Sequence, residues 1–385
     1  AEVCLSPLGR EAGAALLGST NIADYTTDTH KNMYKNEPHM DRCLIFGRGA
    51  SGIGIEGLGV IDGRGGVGRM GQSGHKANFP NKDDPKKHRP MLLRLVDCSR
   101  IRIRDITLRN PAAWTSAWLY CKDIVVDGIT ISSRTNHNGD GLDFDGCENV
   151  RVSNCAFDTS DDSICLQASR ADHPVRNVTI NNCIFVSKWA GIRIGLLSIG
   201  DFEAVTVSNC VFRDIDDSGL KIQMCEGGAM RNMVFSNLVM QNVPRPVFMT
   251  FAQQRACVDS PADVLAPLNA MGGFLFDGIR VDNSMCSTDS AFILTGVPDH
   301  AIRSIRFSNI QLTTGGGADA KIAARRTLKE LTPDVLEGWW PEYSRFGATV
   351  PACGLYARHV EGLTVNNMIV ETAKPDLRAV IVCDD

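Results

Sequence analysis

The sequence predicts an all-β fold, a single-stranded, right-handed parallel β-helix whose short strands stack as the coils of a solenoid. Two observations predict it. A short phrase of alternating apolar residues returns along most of the chain, at a spacing that suits one supersecondary unit. The composition agrees, because 36 glycines and only 6% aromatic residues suit many short strands joined by tight turns.

The phrase is two aliphatic residues at alternate positions, then Asn, Asp or Gly, then an apolar pair. It reads IGIEGLGV at Gly57, IRIRDITL at Asp105, IVVDGITI at Gly128, VRVSNCAF at Asn154, VTINNCIF at Asn182 and VTVSNCVF at Asn209. Later copies are MVFSNLVM at Asn237, FLFDGIRV at Gly278, IRFSNIQL at Asn309 and LTVNNMIV at Asn367. From Asp105 to Asn237 the steps are 23, 26, 28, 27 and 28 residues. Alternation at period two means strand. The Asn, Asp or Gly marks a bend, where left-handed backbone is tolerated. One coil cannot bury its apolar face alone, whereas stacked coils pair in parallel at about 4.8 Å and bury it. Asn recurring at one phase predicts an amide ladder between coils. A leucine-rich repeat would need Leu-x-x-Leu-x-Leu, which is missing, and a propeller would need longer antiparallel blades. The expected solenoid has about ten coils and spans 1–385 as one domain.

Two segments leave the repeat. Residues 64–90 are rich in Gly, Lys and Pro and read as a long loop. Residues 313–360 include AARRTLKELTPDVLEGWW, which reads as a short helix in an insertion packed on the solenoid. Long loops on a rigid scaffold often border a site.

Charge and cysteine usage exclude other classes. A net charge of −4 argues against a general electrostatic grip on nucleic acid or membrane. No apolar run is long enough to span a bilayer. The opening AEVCLSPLGREAGAALL lacks the basic-then-apolar order of a secretory signal. Of fourteen cysteines, Cys155, Cys183 and Cys210 recur at one phase after Asn, as small buried groups do. Mostly free thiols are therefore expected in place of a disulfide framework. No CxxC pair occurs, so no zinc site is expected.

The densest chemistry lies at 134–167, which holds Asp140, Asp143, Asp145, Asp158, Asp161 and Asp162. Phasing the strands points Leu142 and Phe144 inward, and likewise Ile164 with Leu166, Ile192 with Ile194 and Leu220 with Ile222. Stacked on those anchors, Asp140, Asp162, Ala190 and Ser218 form one column. Asp143, Cys165, Arg193 and Lys221 form a second. Carboxylates on neighbouring coils then stand about 5 Å apart in backbone terms, and like charges that close raise at least one pKa. Asp is also common at β-helix bends as plain turn chemistry, but three at stacked positions carry a repulsion that tends to collect at functional sites. Glycosidic cleavage needs such a set: an acid to protonate the leaving oxygen and a carboxylate to activate water.

The same residues carry a family resemblance. Asn138-Gly139-Asp140-Gly141-Leu142-Asp143 and the pair Asp161-Asp162 resemble the motifs of polygalacturonase-type glycoside hydrolases of family 28, within the pectin-lyase-like β-helix superfamily. GLGVIDGRGG, RPMLLRLVDCSRIRIRDITLRNPAAW and VPACGLYARHVEGLTV support it, the last with PEYSRFG resembling the bacterial branch. The resemblance implies an inverting hydrolase that needs no metal or other cofactor. Asp161 would be the general acid, and Asp140 and Asp162 would hold and deprotonate the water. Acid and base would then stand in the inverting range of roughly 6.5–9.5 Å. A carbohydrate partner is implied, with a pectic, uronate-containing glycan favoured, and a periplasmic or secreted location.

Three departures qualify the resemblance. The family's Gly-His-Gly reads Trp189-Ala190-Gly191, so the site histidine is absent, as in rhamnogalacturonan-cleaving members. Its Arg-Ile-Lys reads Lys221-Ile222-Gln223. Residue 1 already lies in the GAALLGSTN-like part of the pattern, so the usual first coil segment is expected to be missing from this sequence. The expected substrate contacts are Asn138, Asp143, His137, Arg193, Lys221, Gln223 and Trp189. His137 stands as a replacement for the lost histidine or as a plain loop residue. Arg193 and Lys221 either bind a substrate carboxylate or neutralise Asp143 and Asp162. Trp114, Trp118, Tyr120 and Trp189 stack on sugars or pack under loops. Two other functions remain open: a polysaccharide lyase with a basic proton abstractor and bound Ca²⁺, and a non-catalytic carbohydrate-binding or adhesin solenoid.

Overall fold

The computed structural model describes residues 13–27, 29–37, 40–66 and 89–384. Each coil carries up to three strands, for example Leu142–Asp145, Glu148–Ser153 and Ala156–Thr159. Eleven strands, from Cys43–Arg48 to Ala379–Asp384, stack in parallel as one face, one more coil than expected. A second sheet of sixteen strands makes the other faces. These join where strands such as Phe202–Ile215 run round the corner unbroken. The chain is the right-handed parallel β-helix that the repeat predicts.

Register follows the predicted columns. Leu142 aligns with Ile164, Ile164 with Ile192 and Ile192 with Leu220, while Asp143, Cys165, Arg193 and Lys221 align beside them. The inward anchors all lie in one core that runs from Ile55 to Ala357. Phe157, Phe185 and Phe212 stack along it at 5.0 and 4.7 Å. The bend residues Asn154, Asn182, Asn209 and Asn237 have φ of 58°, 54°, 55° and 53°, the left-handed region that Asn tolerates best among residues with a side chain. Their amides form the expected ladder, with Asn182 donating to Asn154 at 3.4 Å and Asn237 to Asn209 at 3.3 Å.

The thirteen described cysteines are free, eleven of them buried. The Cys155, Cys183 and Cys210 thiols donate to the carbonyls of Ser153, Asn181 and Ser208 at 3.0–3.2 Å.

The insertion follows strand Ile302–Thr314. The expected single helix is instead two four-residue helices, Ala320–Ala323 and Pro333–Leu336, with a 3-10 turn at Tyr343–Phe346. Pro333 can only begin a helix, because it has no N–H to give and its ring restricts the residue before it. Between the helices Leu328 and Leu331 turn inward and pack with Leu336, Phe346 and the outward-facing Phe248 and Tyr356 of the eleven-strand face. The insertion is thereby pinned over that face. Of the loop expected at 64–90, residues 67–88 lie outside the described residues.

Candidate active site

The acids are set by backbone that only glycine permits. A Cβ at Gly139 would meet the Ser133 carbonyl at 2.1 Å, and one at Gly141 the Ser163 carbonyl at 2.2 Å. The turn therefore lies flat on the next coil and delivers Asp140 beside Asp161 and Asp162. The Thr159 and Ser187 hydroxyls each donate to the Asp161 carbonyl at 2.6 Å, which fixes the following turn from two coils. Asn138, at φ 52°, donates to Asp161 Oδ2 and to Glu37, both at 3.4 Å. Arg89, fully buried, donates to Asn138 Oδ1 at 2.8 Å and to the His137 carbonyl at 2.9 Å.

Asp140, Asp161 and Asp162 come together as the sequence columns predict. One carboxylate oxygen from each lies within 4.8 Å of the other two. These are nearest-oxygen distances, short because two of the acids are consecutive and the third is one coil away. A water accepting and donating at about 2.8 Å still bridges such a gap. Asp143 lies deeper, with Gln167 donating to it at 3.3 Å.

Burial sets the titration of the cluster. It pushes Asp161 up to about 8, with repulsion from Asp162 adding and Arg193 opposing. Asp140 and Asp143 are raised well above the carboxylate range, first by burial and then by the neighbouring aspartates. Asp162 is raised by burial too, but Arg193 and Lys221 pull it back. Arg193 donates to Asp162 at 3.3 Å. The two consecutive acids are thus driven apart, the pattern expected of an acid and a base sharing one site.

The remaining expected contacts fall into two groups. Asn138 and Trp189 stay half-buried at the mouth beside Asp161. Arg193, Lys221 and Gln223 are 6%, 0% and 0% exposed, roofed by the insertion. Glu342 takes Arg193 at 3.0 Å on one oxygen and pairs with Lys221 through the other. Lys221 also pairs with Asp217 at 2.9 Å, and Arg245 with Asp217 at 3.2 Å. Gln223 accepts from Arg193 at 2.7 Å and donates to the Pro341 carbonyl at 2.8 Å. Of the aromatics, Trp118 packs inward on Phe144 and Tyr120 on His173. Trp114 meets Tyr34 edge-on. Only Trp189 of the four remains available at the site, with Lys221 4.3 Å from its ring centre.

Sequence reasoning missed Glu37, Arg89, Asp217, Glu342 and Tyr34. Tyr34 meets Trp114 and Trp340 at 5.8 and 5.9 Å, and its hydroxyl lies within the field of Arg193, Asp162 and Asp143. It walls one side of the site. Asp217 had a signal, since it precedes Ser218 as Asp161 precedes Asp162. Glu342, in a segment outside the repeat, had none.

The comparisons with known proteins bear on what this geometry serves. The chain is 25% identical over 352 residues to an exo-poly-alpha-D-galacturonosidase of Dickeya chrysanthemi, covering 78% of this chain and 58% of that protein. It is 25% identical over 280 residues to a probable polygalacturonase of Vitis vinifera, covering 70% and 54%. It therefore spans little more than half the length of these relatives. In fold it resembles a family 28 exopolygalacturonase of Yersinia enterocolitica, with a TM-score of 0.65 at 20% identity over 96% of this chain and 67% of that one. The model of glycosyl hydrolases family 28 matches residues 7–326, and the chain belongs to that family.

Proposed function

We propose that this chain hydrolyses a glycosidic bond in a pectic, galacturonate-containing glycan by general acid–base catalysis. The observation that carries the reading is the divergence of Asp161 and Asp162. Asp161, pushed up to about 8 by burial yet placed at the mouth, keeps a proton to give to the leaving oxygen. Asp162, held by Arg193 at 3.3 Å, is the better base. It takes a proton from a water that Asp140 also holds. The water's oxygen bonds to the anomeric carbon as the glycosidic bond breaks, and the Asp161 proton leaves with the departing sugar. The names of the Dickeya and Vitis relatives support a galacturonate-containing substrate.

Three acids this close are also a candidate cation site, which keeps the lyase reading testable. Incubation with polygalacturonan, a pectic glycan that also carries neutral sugars, and neutral glycans, with and without EDTA, separates the readings. New reducing ends without absorbance near 235 nm, unchanged by EDTA, are expected. Absorbing product abolished by EDTA would mean a lyase, and no product with retained binding a carbohydrate-binding solenoid.

A further inference from the structure

Glu342 occupies a cation pair that is built for a carboxylate. Its two oxygens divide between the Arg193 guanidinium and the Lys221 ammonium. That is how a sugar acid would be gripped, by one fork donor and one point charge. The pair touches the reaction centre, because the same guanidinium holds Asp162.

The arrangement is closed. Arg193, Lys221 and Arg245 balance Asp162, Asp217 and Glu342 in one continuous set of ion pairs. Among the described residues this set carries no net positive charge for a ligand. Gln223, where a second lysine would add charge, instead joins Arg193 to the Pro341 carbonyl and fastens the Glu342 segment down. Trp189 covers Lys221 from the other side. A carboxylate brought to this face would meet the anionic Glu342 before either cation, and opening the pair would leave buried charges uncompensated.

We propose that Glu342 is a specificity-determining residue: it stands where a substrate carboxylate would bind, so the sugar seated against Trp189 and Asp162 carries no carboxylate. This rests on the hydrolase reading and narrows it to a glycan with a neutral sugar beside the cleaved bond, its galacturonates lying beyond the sugars that the site binds.

The test is calorimetric binding in the Asp161→Asn background, which needs no turnover. The probes are an oligogalacturonate and the same oligosaccharide with its carboxyls reduced to alcohols. With Glu342 present, the reduced form should bind at least as tightly as the acid form. Glu342→Gln frees Arg193 and Lys221 and should tighten the acid form ~10-fold or more, with little change for the reduced form. The double variant Glu342→Gln/Lys221→Gln should lose that gain. Acid form bound ~10-fold tighter by the protein with Glu342 intact overturns the proposal, as does an acid preference unmoved by Glu342→Gln, or no binding of either form. Should Glu342→Gln fail to fold, the comparison of the two oligosaccharides with Glu342 intact decides alone. The hydrolase reading fails separately, if the protein with Asp161 intact releases no reducing ends from any pectic glycan.

Discussion

Replacing Asp161 by Asn should kill turnover and stabilise the fold at the same time. Asp161 is pushed up to about 8, against about 3.9 for an exposed aspartate. A raised folded pKa means that the unfolded chain releases this proton first. The contribution is favourable or neutral below about pH 4 and becomes a penalty as pH rises towards 8, where it levels off. At pH 7 some three pKa units separate unfolded titration from ambient pH, a ceiling of roughly 4 kcal/mol. Sharing of protons with Asp140, Asp143 and Asp162 lowers that to about 2–3 kcal/mol. For a chain of this length melting as one unit, unfolding entropy near 0.8 kcal/mol/K converts it to a rise of ~3 °C in Tm. Scanning calorimetry of both proteins from pH 4 to 8 is the assay. The Asn protein should match the parent near pH 4 and exceed it increasingly to pH 8, with kcat down at least ~10²-fold. An Asn protein that melts lower than its parent at pH 7–8 would refute the reasoning, because Asp161 would then be ionised and held by partners, and unfit to donate a proton.

The other expectations follow from the same geometry. Asp140→Asn and Asp162→Asn should each reduce kcat/KM at least ~10²-fold with glycan binding retained, as checked by steady-state rates and calorimetry. On the alkaline side kcat/KM should fall as pH passes through about 8, where Asp161 loses its proton. Arg193→Met removes the cation that favours ionised Asp162, so the acidic limb of that profile should move to higher pH, with the alkaline limb moving the same way. Proton NMR of the first-formed sugar should show inversion, as the family resemblance implies. Retention would mean that acids within 4.8 Å work by a covalent intermediate.

Legibility in the sequence followed the repeat. Leu142, Ile164, Ile192 and Leu220 could be stacked on paper because every coil places an inward residue at the same phase, and the register pairs them in that order. Asp140, Asp161 and Asp162 are rigidly offset from those anchors, so their convergence could be read as well. Trp118 illustrates the limit of composition. It lies on the strand Ser116–Leu119 in register with Phe144, so the same phasing marks it as core. Glu342 marks the limit of phasing. Residues between Thr314 and Ala352 belong to no coil, and their return to the catalytic face is decided by Leu328, Leu331 and Phe346 packing on Phe248 and Tyr356. That is a tertiary fit with no period.

The insertion also explains why two adjacent aspartates titrate differently. Asp161 and Asp162 share a turn, and burial raises both. Arg193 separates them by pairing with Asp162 at 3.3 Å. A buried guanidinium would be pulled to whichever carboxylates surround it, and Arg193 is held by three groups: Asp162, Gln223 and Glu342. Two of these contacts fix its head relative to the insertion, so its distance to Asp162 is set by how Glu342 and Pro341 sit. Burial alone disfavours the charged Arg193, but Asp162 and Glu342 overcome it and hold its pKa well above the usual guanidinium value. The base is thus kept ionisable by a segment from outside the coils, while the acid one residue away keeps its proton because no cation among the described residues reaches it as closely.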